Sequence, residues 1–182
     1  MRINLWGGPN SGKSRTASRI FGDPSLCNIR LELVQEFVKA WAYEGKKITG
    51  FDQVKIFGEQ LHKEELVLKH SKDTHLITDS PLGLQVFYSQ KNLVPAWESL
   101  FAITKEFDKN YPSINILLDK GEILYDNVGR YETESESKQI AKEIRAFLIR
   151  NDIIFEEFYT VDYYAILEYV KYKLGKENEN GR

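Results

Sequence analysis

Residues 7–14 read Gly7-Gly8-Pro9-Asn10-Ser11-Gly12-Lys13-Ser14 and match the pattern G-x-x-x-x-G-K-[ST] at every fixed position. This stretch constrains the fold more than any other, because the pattern has chemical meaning only between a strand and a helix. Both flanks fit. Arg2 to Trp6 reads as a short strand, and a helix is predicted from near Gly12 through Ile20, stopped by Gly22-Asp23-Pro24. The glycines let the backbone wrap an anion, so that N–H groups across Gly8, Asn10, Ser11 and Gly12 turn inward. The new helix adds the positive end of its dipole. In that setting Lys13 would bridge the β- and γ-phosphates of a nucleoside triphosphate, and the Ser14 hydroxyl would coordinate Mg²⁺. Arg15 follows directly and is a further nucleotide-side candidate. The competing reading, a glycine turn with an incidental lysine, leaves the strand and helix contexts unexplained.

The rest of the chain alternates short apolar runs with helical periods, which predicts an α/β layer fold. Strands are expected at Arg2–Trp6, Ile29–Val34, Leu76–Thr78, Ile114–Leu118 and Ile153–Phe158. Helical spacing runs from Phe51 through Val54, Phe57, Leu61 and Leu68 to about His70, and again over Leu84–Ser89 and Trp97–Phe107. Two later helices carry Ile140, Ile144, Phe147 and Leu148, and Tyr164, Leu167, Val170 and Leu174. Trp41 to Gly50 is polar and reads as a substrate loop. Residues 119–135 read as a closing lid, long, charged and punctuated by glycine. The expectation is one domain over residues 1–175, with a polar tail at 176–182. Its architecture is a three-layer sandwich around a mostly parallel five-stranded sheet.

Composition narrows the function. The 25 basic and 27 acidic side chains nearly cancel, leaving a formal charge of -2, which argues against a globally basic nucleic-acid binder. The lone Cys27 can form neither an internal disulfide nor a thiolate cluster. No apolar run approaches the ~18 residues that span a bilayer, and MRINLWGG lacks the features of a signal peptide. These features predict a cytoplasmic protein without membrane contact. Oligomeric state is left open.

Three features bear on chemistry. Glu36 falls at the carboxyl end of the second strand, where a carboxylate can take the proton of an attacking hydroxyl; a solvated strand-end glutamate is the alternative. Leu76-Ile77-Thr78-Asp79 resembles a Walker B strand, placing Asp79 toward Mg²⁺, with an N-cap for the next helix as the competitor. In the lid segment Arg130 suits the charge of a transferring phosphoryl group. Lys120 there fits an ordinary surface lysine better. His62, His70 and His75 show no metal-ligand spacing.

Taken in order, GGPNSGKS at 7–14, LVQEFVKAW at 33–41, LITDSPL at 76–82 and GRYETESESKQIAKEIRAFL at 129–148 carry a resemblance. The chain resembles the small P-loop kinases of the nucleoside and nucleotide kinase type. Among these it is similar to the nicotinamide riboside kinase domain of bacterial NAD-biosynthesis regulators and to related phage-encoded P-loop kinases. The resemblance implies a parallel sheet of order 2-3-1-4-5 and an arginine lid after the fourth strand. It also implies that Glu36 and Asp79 flank the acceptor hydroxyl and metal, with Phe37, Trp41 and Gln60 lining the acceptor pocket. Lys39 stands where related sequences often carry arginine, and the two are not equivalent for bidentate phosphate binding.

The leading expectation is a Mg²⁺/ATP-dependent kinase acting on a hydroxyl of a nucleoside-like or nucleotide acceptor. A second keeps the chemistry and takes a hydroxymethylated pyrimidine in DNA, using a basic surface from Lys46, Lys47, Lys55, Lys63, Lys69 and Lys72. A third is a nucleotide-binding switch or ATPase without an acceptor. Aromatic side chains at Phe57, Phe101, Phe107, Phe147 and Tyr164 are expected in the core, whereas Trp41 and Tyr43 are stacking candidates.

Overall fold

The computed structural model of the chain describes residues 1–71, 73–95, 97–121 and 132–180, with the side chains at 39 and 177–180 left aside. Five parallel strands form one sheet in the order β2-β3-β1-β4-β5, as expected. They are β1 (Arg2–Trp6), β2 (Leu31–Val34), β3 (His75–Thr78), β4 (Ser113–Asp119) and β5 (Glu156–Tyr159). The helices are α1 (Lys13–Phe21), α2 (Lys39–Tyr43), α3 (Asp52–His70), α4 (Leu82–Lys91), α5 (Trp97–Asn110), α6 (Glu134–Arg150) and α7 (Tyr163–Asn180).

The two-residue period of β1 builds the three layers. Ile3 and Leu5 point to one face, where Ala17 and Ile20 of α1 and Ile166, Leu167, Val170 and Leu174 of α7 cover them. Trp6 points to the other, against Phe57 of α3, Leu84 and Phe87 of α4, and Ile140, Ile144 and Phe147 of α6. Each such side chain, fully buried, stabilises the fold by ~1.5–3 kcal/mol. Gly83 is dictated by this packing: a Cβ there would sit 2.5 Å from the Trp6 ring. The Trp6 indole N–H donates to Asn115 Oδ1 at 3.0 Å, so the buried ring leaves no unpaired donor.

Several expectations shift. Strand β2 starts at Leu31, two residues late, because Pro24–Leu26 forms a short 3-10 turn capped by Asp23. Strand β5 begins at Glu156 rather than Ile153, and Ile154 is exposed. The supposed loop from Trp41 opens with helix α2, and Trp41 is buried. Phe51 and Val54 fit the α3 period yet are exposed, Phe51 as the residue that caps the helix and Val54 in its first turn. Tyr164 is 77% exposed while its neighbour Tyr163 faces the core. The Tyr163 hydroxyl donates to Asp23 Oδ2, and burial first, then that carboxylate, pushes its pKa up to about 12. Helix α7 runs on to Asn180, through residues expected to fray. Among the described residues no helix is long and apolar enough to cross a membrane.

A buried ion pair was not foreseen from sequence. Arg2, on the Trp6 face of β1, is 1% exposed and bonds Glu64 of α3, Asp108 of α5 and the Tyr111 carbonyl. Burial raises the Glu64 pKa, with the Arg2 guanidinium as the main opposing influence. A carboxyl whose folded pKa is raised gives its full stability below its unfolded pKa and loses it as pH rises through the folded value. Arg2→Met strands that carboxylate and is expected to cost about 3–5 kcal/mol at neutral pH in urea titrations. Part of the loss should be regained as pH falls toward ~4.3; a deficit constant with pH would contradict the assignment.

Candidate active site

Strand β1 delivers the glycine-rich loop to the carboxyl edge of the sheet, between β3 and β4. The connection after β1 leads to β2 on one side and that after β3 leads to β4 on the other, so this edge is the topological switch point where α/β sheets bind ligands. The loop adopts the strained backbone its glycines permit. Gly12 has φ 84° and Asn10 φ 60°, both in the left-handed region. Ser11 N–H donates to the Gly8 carbonyl at 3.2 Å, closing the turn. Helix α1 opens without a side-chain cap and without an acidic residue in its first turn, which leaves its positive end for an anion.

The loop is also tight from outside. A Cβ on Gly7 would meet Ser11 Oγ at 2.4 Å, one on Gly8 would meet the Ser137 carbonyl at 2.9 Å, and one on Gly12 would meet Thr160 Cγ2 at 2.3 Å. Lys13 Nζ lies over this cradle and donates to the carbonyls of Gly7 and Gly8 at 2.8 and 2.9 Å. The Ser11 hydroxyl is buried without a hydrogen-bond partner among the described residues. A cradle of this shape, a poised ammonium and an orphan hydroxyl fit a polyphosphate. Ser14 follows in the first turn of α1 and Arg15 beside it is exposed.

Asp79 follows the last residue of β3 and is 3% exposed. Its Oδ1 accepts the backbone N–H of Glu36 at 2.9 Å, which ties the ends of β3 and β2 together. The alternative of an N-cap does not hold, because Pro81 occupies that position of α4. Among the described residues no three His, Cys, Asp or Glu side chains gather as a metal cluster. Asp79 offers a carboxylate and Ser14 a hydroxyl, hard oxygen donors of the kind that Mg²⁺ takes one or two of beside substrate phosphates.

A cavity of about 410 Å³ opens beside the loop. Pro9 and Lys13 form one wall, and Glu36 points to the same space. Val38, Ile48, Ile56, Leu84 and Ile140 supply an apolar lining, and Gln53, Gln85 and Tyr88 supply polar groups from α3 and α4. Gln53 is 4% exposed and its Oε1 is buried without a partner among the described residues. Gln85 Nε2 donates to Ser80 Oγ, whose backbone N–H in turn donates to Thr78 Oγ1. Sequence reasoning passed over Gln53, Gln85 and Tyr88. Gln53 sits two turns before Gln60 on the same helix, which was the available signal.

Three residues expected to line an acceptor pocket do not line this cavity. Gln60 is 1% exposed and lies beneath the strand ends, donating to Glu64 Oε1 at 2.9 Å and Thr78 Oγ1 at 3.0 Å. Phe37 and Trp41 pack edge to face at 5.3 Å, outside the cavity lining. Lys46 covers the Trp41 ring at 3.2 Å and pairs with Asp52, while Lys55 and Lys63 lie over the same two rings. Those three lysines are drawn into local contacts, Lys47 lines the cavity, and Lys72 lies outside the described residues. Lys120 pairs with Glu134 at 3.4 Å. Arg130, with most of the expected lid, and the side chain of Lys39 lie outside the described residues.

Neither a protein-family model nor a curated protein matches this sequence. Solved structures do. A thymidylate kinase from Ehrlichia chaffeensis superposes with a TM-score of 0.66 at 10% identity, over 94% of this chain and 98% of that one. A deoxyadenosine kinase from M. mycoides, solved with the products dCMP and dCDP, gives 0.51 at 20% identity over 97% and 100% of the two chains. The same kinase with bound dATP gives 0.51 at 19% identity over 96% and 99%. At such identities the likeness is one of fold: the chain is built on the three-layer, five-stranded α/β architecture that these P-loop nucleotide kinases also use.

Proposed function

We propose that the protein is an ATP-dependent phosphotransferase acting on a hydroxyl of a nucleoside-like or nucleotide acceptor. The observation that carries this reading is the juxtaposition of Lys13, Glu36 and a mixed apolar and amide cavity around one loop end. A switch or an acceptor-free ATPase has no use for a preformed cavity with a carboxylate at its rim. The fold neighbours, kinases of deoxynucleosides and of thymidylate by name, support the same class.

In this reading the glycine loop and Lys13 hold the β- and γ-phosphates. Ser14 and Asp79 are the residues that would hold Mg²⁺, which when bound offsets phosphate charge and orients the transferring group. Glu36 accepts the hydroxyl proton as the acceptor oxygen bonds to the γ-phosphorus and the β,γ-bridging P–O bond breaks, releasing ADP. Asp79 fixes the backbone at Glu36 through its N–H. Arg130 is assigned the lid role on its sequence position alone. The base-like part of the acceptor lies between the apolar walls and meets the amides of Gln53 and Gln85.

Gln53→Leu and Gln85→Leu are each expected to raise the acceptor KM by about 10-fold, the loss of a buried hydrogen bond in a site built for it, while the ATP KM stays put. An unchanged acceptor KM in both would move recognition away from these amides. The reading itself is tested with γ-labelled ATP and a panel of nucleosides, nicotinamide riboside, nucleoside monophosphates and hydroxymethylated duplex DNA. Label entering one of the small molecules supports it, label on DNA alone replaces the acceptor class, and label found only as free phosphate overturns it.

A further inference from the structure

We infer that Ser137 and Thr160 are positioning residues that pre-aim the phosphate loop, a role resting on the nucleotide-binding reading of that loop. They come from different elements. Ser137 is in the first turns of α6, and Thr160 follows the last residue of β5. Both are buried, at 3% and 9% exposure. Ser137 Oγ donates to the Pro9 carbonyl, 128 residues away in sequence, at 2.5 Å. A helical serine ordinarily bonds back to its own preceding turn; here the backbone N–H alone makes that bond, to Thr133. Thr160 Oγ1 donates to the Ser11 carbonyl at 2.5 Å and is shared with the Asp119 carbonyl at 3.0 Å.

The consequence follows from peptide geometry. A trans peptide is planar, so its C=O and N–H point in opposite directions. Holding the Pro9 carbonyl against α6 turns the Asn10 N–H away from α6. Holding the Ser11 carbonyl against Thr160 likewise turns the Gly12 N–H away from Thr160. Two amides of the loop are thereby oriented before any anion arrives, which reduces the ordering required on binding. Thr160 also explains Gly12, since its methyl fills the space a Cβ would need. The clamps keep open a conformation that Asn10, with φ 60°, adopts at some strain.

The test compares Ser137→Ala, Thr160→Val and the hydroxyl-retaining Thr160→Ser in the full chain. MgATP affinity is measured by calorimetry, and backbone amide exchange of the 8–13 segment is measured without nucleotide. One lost hydrogen bond to a loop carbonyl corresponds to about 3- to 10-fold weaker ATP binding. Ser137→Ala and Thr160→Val should each show it, in the ATP KM more than in kcat, with faster exchange confined to the loop. Thr160→Ser should stay near the wild type. Unchanged ATP affinity in Ser137→Ala and Thr160→Val overturns the proposal, as does equal loss in Thr160→Ser and Thr160→Val. If Lys13→Ala abolishes binding while the clamp variants bind normally, only this inference fails. If the wild-type chain binds no ATP, the nucleotide reading fails, and the exchange measurement still decides whether the hydroxyls hold the loop.

Discussion

Glu36→Gln is expected to slow phosphoryl transfer by about 10²–10⁴-fold at saturating substrates, the usual contribution of a positioned general base. The substitution is conservative in every other respect. Glutamine has the same shape, and the contact to Asp79 uses the backbone N–H of residue 36, so the joined ends of β2 and β3 survive. ATP affinity should therefore stay near the wild-type value. Measured at saturating ATP and acceptor, the loss should fall on kcat. A change confined to the acceptor KM would make Glu36 a binding residue and leave Asp79 as the candidate base.

Lys13→Ala is expected to lower transfer by about 10²–10³-fold or more, because it removes the cation from the place where charge develops on the phosphates. It also weakens nucleotide binding, which separates it from Glu36→Gln. The ammonium bonds the carbonyls of Gly7 and Gly8 at 2.8 and 2.9 Å. These two contacts hold it over the glycine loop. Turnover near the wild-type level in this variant would refute the phosphate-loop assignment.

The fold was legible because its determinants are local. The glycine loop announces a strand before it and a helix after it, and the apolar runs at Leu76–Thr78 and Ile114–Leu118 mark interior strands. Edges were harder. β5 reads Glu-Glu-Phe-Tyr and is mostly exposed, so the apolar Ile153-Ile154 drew the expected strand three residues early. Tyr163 and Tyr164 cannot be told apart by period; only the docking of α7 decides which is buried. The site divides along the same line. Lys13, Glu36 and Asp79 follow strand ends and could be placed by motif and topology. The cavity wall could not, because Gln53 and Gln60 share one helix and differ by two turns. Only the docking of α3 decides that Gln60 meets Thr78 Oγ1 while Gln53 lines the pocket. Ser137 and Thr160 act through single hydroxyls across 128 and 149 residues of sequence, which no local pattern records.

The central claim is that ATP cleavage by this chain is coupled to an acceptor hydroxyl. Phosphorus NMR of a mixture of the protein, MgATP and the best acceptor from the panel tests it most directly. The account predicts ADP and a new phosphomonoester signal rising one to one, with little ATP consumed when acceptor is omitted. Inorganic phosphate rising at the same rate with or without acceptor would contradict it.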